Sequence, residues 1–297
     1  MKPASNLSAQ ETPWESERLD LDAYLARIGH GGSLAPTIET LRALQRAHLG
    51  AIAFENLDVV TGREIRLDLT SLQDKLVRRR RGGYCHENNI LFATVLDRLG
   101  FHVSGRSARM LMGVDEEKMT ALGHTCLHVH IDGTDWHVDV GVGNTGPREP
   151  IALQDGIEVR HDGWSYRLDR TDAGRWLLRY HRHTGWFNLY QFNEEPYYPI
   201  DFEDHNFIAS KHPASPFVRR IVIQRNGGDT RYALTDCELK VFRPGEPPDV
   251  RTVEPAETPG LLRDVFGLEL PARALDALVQ RARTTRADPS GARSVGA

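Results

Sequence analysis

Cys85 is the residue whose type and setting best suit a nucleophile. It stands in the segment Arg81-Gly82-Gly83-Tyr84-Cys85-His86-Glu87-Asn88-Asn89. Two glycines allow a sharp turn and a close backbone approach. The apolar residues that follow predict a helix beginning near Cys85, which places the thiol at a helix N-terminus. Unpaired N–H groups and the helix dipole favour negative charge there, and the thiolate is the reactive form of cysteine. The competing reading is a buried structural cysteine at the start of a helix, since free cysteines are among the most buried residues.

A cysteine nucleophile also needs a base, and the base needs an orienting group. The segment His124–Val142 offers both. Cys126 to Ile131 alternates in polarity, Asp132-Gly133 is a strong turn signal, and a second strand from Trp136 to Val142 follows. With a two-residue turn, cross-strand partners have numbers summing to 265, so Asp139 lies opposite Cys126, with His124 and His128 as diagonal neighbours. Diagonal neighbours are within reach of long side chains. Register alone therefore leaves two histidines open.

The elements that must position these groups are of two kinds. The first hundred residues read as helical. Leu21, Tyr24, Leu25 and Ile28 recur at helical spacing before Gly29. Ile38, Leu41, Leu44 and His48 follow Pro36, with Gly50 expected beyond the end. Leu91, Val95 and Leu99 form a stripe closed by Gly100. Past Gly100 the period changes to two, with further strand candidates at 163–168, 176–181, 218–224 and 232–241. Residues 259–265 and 271–282 read as helices, and from about Thr284 the Arg-, Ala-, Gly- and Ser-rich tail is expected to be disordered. The expected fold class is α+β, divided as 1–100, 101–215 and 216–297.

Composition narrows the class. The 297 residues are 40% hydrophobic and 26% charged with a formal net charge of -4, which disfavours nucleic acid as the main partner. Three cysteines do not suit a disulfide framework and fit a reducing compartment, so a cytoplasmic location is expected. Residues 1–18 lack the apolar run of a signal peptide, and no stretch approaches a membrane span. Cys126, His124, His128 and His130 share a strand face near His137, but their spacing matches no common zinc signature, so no metal is expected. The basic run Arg78–Arg81 reads as a solvated face, except that Arg81 is expected to pair with Glu55. Trp186, Phe187, Tyr190 and Phe192 read as core or interdomain packing, and His86 and Cys237 as surface or packing residues.

The chain resembles the arylamine N-acetyltransferase family. The resemblance rests on Arg81-Gly82-Gly83-Tyr84-Cys85, Phe54-Glu55-Asn56-Leu57, Val138-Asp139-Val140-Gly141, and His124 fifteen residues before Asp139; Asp201-Phe202-Glu203 with Asn206, and His212-Pro213, are later echoes. It spans roughly residues 20 to 270. It implies a catalytic triad of Cys85, His124 and Asp139, and so favours His124 over His128. It also implies a papain-like cysteine-enzyme arrangement: an N-terminal helical bundle, a central antiparallel β-barrel and a C-terminal α/β lid. The expected donor is acetyl-coenzyme A, passed to arylamines or arylhydrazines by a ping-pong route; a macrolactam-forming amide synthase of the same family is the alternative. Phe54, Val142 and Gly123 are the expected acceptor contacts, and Gly141, Gly143 and Thr125 the expected coenzyme contacts. A homo-oligomer is compatible with the sequence. One departure stands out: the family commonly has an aromatic residue where Gly141-Val142-Gly143 carries valine, which implies a roomier, less aromatic acceptor site.

Overall fold

The computed structural model describes residues 12–287, so the expected disorder of the last ten residues lies outside the described residues. The helix Leu21–Ile28 begins where the Asp20 carboxylate accepts the Ala23 N–H at 3.1 Å and ends at Gly29, which takes a left-handed φ of 68°. The next helix, Ile38–Ala51, is capped by the Thr37 side chain and runs through Gly50 rather than stopping before it. Tertiary packing overrides the glycine stop signal, because Leu41, Leu44 and His48 are fully buried along this helix. Short turns at Leu57–Val60 and Leu69–Leu72 lead into a π-helical stretch, Gln73–Arg78.

Cys85–Arg98 is the central helix. Residues 85–96 are all buried, so the helix is enclosed on every side rather than presenting only the Leu91–Val95 stripe. Glu87 accepts the Tyr84 N–H at 3.1 Å and closes the helix start. Against this helix packs an eight-stranded antiparallel sheet, which curls into a nearly closed, barrel-like form. Its spatial order is Ile151–Ala152, Thr134–Val138, Leu122–Ile131, His102–Met110, Gly185–Phe192, Trp176–Arg182, Trp164–Arg170 and Ile157–His161. The expected hairpin is present. Leu127 pairs with Val138 and Ile131 with Thr134, and Asp132 and Gly133 form the turn with φ of 48° and 78°. The expected aromatic cluster at Trp186–Phe192 is itself a strand, and Tyr190 and Phe192 fill the barrel core with Trp164, Tyr166, Trp176 and Tyr180.

The second sheet has five strands and crosses the expected division of the chain. Its edge strand is Phe54–Glu55, from the first hundred residues, which pairs with Ile223–Gln224 of the C-terminal part. The first hundred residues are therefore not wholly helical. The stretch expected as one strand from 218 to 224 begins as a helical turn, Pro216–Arg219, capped by the Ser215 hydroxyl, and becomes extended at Val222. The stretch 232–241 is a hairpin of Arg231–Thr235 and Glu238–Phe242, broken at Asp236 with φ of 53°. The helix Phe202–Lys211 was not expected. Its inward face carries Phe202, Asn206 and Ser210 while Phe207 and Ile208 face outward, so its hydrophobic pattern is nearly inverted. The chain ends in the helices Thr258–Asp264 and Ala272–Ala287, the second reaching into the expected tail. The fold is α+β, with helices, a barrel-like sheet and a second sheet capped by helices.

Candidate active site

The loop before Cys85 is held by buried charge. The Arg81 guanidinium donates to Glu55 Oε1 at 2.6 and 3.0 Å and to Asp58 Oδ1 at 3.2 Å, so the ion pair expected with Glu55 is present. Lys75 adds contacts to Glu87 at 2.6 Å and to Asp58 at 3.3 Å. All five side chains are buried. Burial would raise the Asp58 pKa, but the charges of Lys75 and Arg81 outweigh it and hold the carboxyl below its ordinary value. The two glycines serve close approach. A Cβ at Gly82 would lie 2.2 Å from the Ala53 carbonyl oxygen, and Gly83 exchanges backbone hydrogen bonds with Ala53 and Glu55.

Cys85, His124 and Asp139 converge where this loop meets the barrel hairpin. The His124 Nε2 and the Asp139 Oδ2 are 2.7 Å apart, and both side chains are buried. Nδ1 is then the imidazole nitrogen left for the sulfur. Asp139 is fully enclosed and accepts four hydrogen bonds. Its Oδ2 receives His124 and, at 2.8 Å, the Tyr190 hydroxyl; its Oδ1 receives Asn89 at 3.0 Å and the Gly141 N–H at 2.7 Å. Burial alone would push its pKa up, but the charge of His124 and the hydrogen bonds from His124 and Asn89 leave it below the ordinary value. Burial would likewise lower His124, yet the Asp139 charge and hydrogen bond, together with Cys85, push it up to about 10. For Cys85, burial favours the neutral thiol, whereas His86 and His124 beside it bring the pKa well below the usual thiol value. Both shifts run in the direction that favours a thiolate and an imidazolium over the neutral pair.

Gly141 lets the hairpin reach Cys85. A Cβ there would sit 2.7 Å from the Cys85 Cα and 2.8 Å from its carbonyl oxygen. Asn89, one turn after Cys85 on the same helix, clamps the strands: it donates to the Thr125 carbonyl at 2.6 Å and accepts the Val140 N–H at 3.0 Å.

A cavity of about 390 Å³ opens over the sulfur and the His124 ring. Phe54, Gly123, Val142 and Gly141 lie on its wall, as do Met110, Met112, Phe217 and Gln224, which sequence reasoning did not single out. Two of the expected coenzyme contacts do not reach it. Thr125 is fully buried, with its hydroxyl 2.6 Å from the His86 Nδ1. Gly143 is packed beneath Gln224, whose Oε1 accepts the Asn144 N–H at 3.1 Å, and a Cβ at Gly143 would strike that oxygen.

The other histidines of the strand part company with His124. His128 and His130 both bind Asp135, at 2.9 and 2.8 Å, toward the exposed end of the hairpin. His137 is buried in the barrel, stacked on Phe192 and hydrogen-bonded to the Tyr190 hydroxyl at 2.7 Å. Cys126 is fully buried, and burial with the Asp139 charge holds its thiol neutral. Among the described residues no group of three or more His, Cys, Asp or Glu side chains is arranged to hold a metal ion, and no helix is long and apolar enough to cross a membrane. Arg78, Arg79 and Arg80 are exposed. His86, expected at the surface or in packing, is fully buried. The spacing of Asn89 four residues after Cys85 could have flagged it. Nothing local marks Tyr190, which meets Asp139 only because the barrel closes.

A cysteine at the start of a buried helix thus meets a histidine and a carboxylate from a barrel hairpin beside one cavity. The model of the N-acetyltransferase family matches residues 37–275. The arylamine N-acetyltransferase of Mycolicibacterium smegmatis is 38% identical over 258 residues, 85% of this chain and 93% of that protein. That of Escherichia coli is 33% identical over 84% of this chain and 88% of its own. Among solved structures, the Mycobacterium abscessus arylamine N-acetyltransferase superposes with a TM-score of 0.87 at 38% identity, covering 93% of this chain and 99% of the other. The Mycobacterium marinum arylamine N-acetyltransferase, solved in complex with CoA, gives 0.84 at 33% identity over 89% and 99%. The chain belongs to the arylamine N-acetyltransferase family.

Proposed function

We propose that this enzyme moves an acetyl group from acetyl-coenzyme A to an arylamine or arylhydrazine through a thioester on Cys85. The observation that carries the reading is the convergence of Cys85 and the His124–Asp139 pair at the floor of the cavity. In the first half-reaction the Cys85 thiolate attacks the acetyl carbonyl carbon. The coenzyme sulfur departs and takes the proton held on His124, which leaves neutral imidazole and acetyl-Cys85. Exchange of one thioester for another is nearly isoenergetic, so this step is reversible. In the second half-reaction the amine attacks the acetyl carbon, His124 takes the amine proton, and the Cys85 thiolate leaves as the amide forms. Asp139 keeps the imidazole in the orientation and tautomer both steps need. Two half-reactions through one covalent intermediate give ping-pong kinetics.

The cavity favours the acceptor class. Its wall of Phe54, Met110, Met112, Val142 and Phe217 is apolar, and an ammonium group is costly to bury there. Aryl conjugation keeps an aromatic amine neutral and nucleophilic near pH 7, whereas alkylamines are mostly charged. The complex with CoA reported for the Mycobacterium marinum relative supports the donor assignment. Intact-mass spectrometry after mixing with acetyl-coenzyme A tests the reading. One acetyl group is expected on the wild-type protein, mapped to Cys85, lost on adding an arylamine, and absent from folded Cys85→Ser. Steady product formation by Cys85→Ser would overturn it.

A further inference from the structure

The run Arg78–Arg81, expected as a solvated face apart from Arg81, borders a hollow of about 370 Å³. Five arginines, Arg63 and Arg78 to Arg81, line it with Glu269, Leu270 and Pro271. The hollow shares no wall residue with the cavity over Cys85. Phe54 lines that cavity while its neighbour Glu55 accepts from Arg81, as expected for successive side chains of a strand.

Counter-charge is short here. Arg79 pairs with Asp74 at 2.8 Å, and Arg81 is held by Glu55 and Asp58. Among the described residues, the guanidinium groups of Arg63, Arg78 and Arg80 make no ion pair or hydrogen bond, and the Glu269 carboxylate pairs with none of them. Three unpaired cations thus share the wall with one carboxylate, in a chain whose formal net charge is -4. The backbone gathers this charge. The Arg79 N–H donates to the Asp74 carbonyl at 2.9 Å and the Arg81 N–H to the Lys75 carbonyl at 3.0 Å, which closes the stretch Gln73–Arg78. Between them Arg80 takes a left-handed φ of 51°, where glycine or asparagine is the usual residue. An arginine in that strained position points to a role for its side chain. The buried Arg27 donates to the Arg80 carbonyl at 3.5 Å and feels the same field: burial, and then the Arg80 charge, lowers its pKa to about 10.

We propose that this hollow is an anion site, separate from the acyl-transfer cavity, that takes a small organic molecule carrying two linked phosphates. Guanidinium groups present paired N–H donors that match phosphate oxygens two at a time. A diphosphate supplies acceptor oxygens and charge for three arginines at once, which a single carboxylate does not. Glu269 opposes any anion here, so a ligand with several charges is favoured over one with a single charge. Leu270 and Pro271 offer an apolar edge to its organic part. Coenzyme A also carries a diphosphate, and the test separates it from an independent ligand.

Isothermal titration of the full chain with inorganic pyrophosphate and with ADP, near neutral pH and at fixed ionic strength, tests the site, with sulfate as control. One pyrophosphate or ADP per chain is expected, with sulfate bound at least about tenfold more weakly. Arg80→Gly suits the left-handed backbone, so it is expected to keep the melting temperature while weakening pyrophosphate binding by about tenfold. The double variant Arg63→Gln with Arg78→Gln should weaken it at least as much, and decides the matter if Arg80→Gly does not fold. Binding is expected to be unchanged in Cys85→Ser and with saturating coenzyme A, so the result does not depend on acetyl transfer. Equal affinity for sulfate and pyrophosphate, or wild-type affinity in the folded variants, would overturn the proposal and return the run to a solvated face. Displacement of pyrophosphate by coenzyme A would overturn the separate site and assign the hollow to the coenzyme's own diphosphate.

Discussion

Asp139→Asn preserves the shape of the site and reverses its hydrogen-bond logic. The carboxylate accepts four donors, two on each oxygen. The donors to Oδ1 include the Gly141 backbone N–H, which cannot turn into an acceptor, so the amide oxygen of the variant should take that position. Its NH₂ group then faces His124 and Tyr190. The Tyr190 hydroxyl can rotate to accept, but His124 can accept only by placing its hydrogen on Nδ1, the nitrogen the sulfur needs as base. The imidazolium also loses its buried counter-charge. The pKa of His124 is pushed up to about 10 in the native site. Return toward an ordinary imidazole near ~6.5 is about 3.5 units, or roughly 5 kcal/mol as an upper bound, because Cys85 supplies part of the stabilisation. The acylation rate should therefore fall by about 10³- to 10⁴-fold, the upper figure being that seen when a triad carboxylate is changed to its amide. The assay is stopped-flow mixing with acetyl-coenzyme A, following release of the coenzyme thiol in a single turnover, with circular dichroism to establish the fold. A folded variant acylating within tenfold of wild type would refute the reasoning, since neither tautomer nor charge would then matter.

Three further outcomes follow from the same geometry. Arg81→Met removes one cation from the buried network and leaves Glu55 without its ion-pair partner, so a loss of about 3–5 kcal/mol in denaturant unfolding is expected; a midpoint matching wild type would show that the network has no net value. Val142→Phe narrows the cavity, and kcat/KM for a fused-ring arylamine should fall at least tenfold relative to aniline; an equal change for both acceptors would place Val142 outside the acceptor route. His48 and His137 are both pushed down to about 4, chiefly by burial. The unfolded chain takes up these protons near pH ~6.5 and the folded protein only near pH 4. Stability should therefore fall as pH drops from about 6.5 to 4, by on the order of 1–3 kcal/mol for each ring; urea midpoints that stay level across that window would contradict the burial argument.

Local chemistry alone carried much of the site. Glycines before a cysteine, a helix starting at it, and a hairpin whose turn residues both adopt positive φ are short-range features, each set by sterics or hydrogen bonding within a few residues. Cross-strand register follows from that turn by counting, which is why Asp139 could be placed near His124 and His128 without coordinates. The choice between those two histidines was not local. It depends on which end of the strand meets the central helix and which end meets solvent, where Asp135 takes His128. The identity of Tyr190 as a donor to Asp139, the burial of His86, and the edge strand Phe54–Glu55 joining a sheet some 170 residues later arise from closure of the barrel and docking of the two sheets. The helix Phe202–Lys211 escaped notice because its buried face is largely polar and its exposed face apolar. Sequence specifies such contacts only through the whole fold, since the partners are far apart in the chain and no local propensity links them.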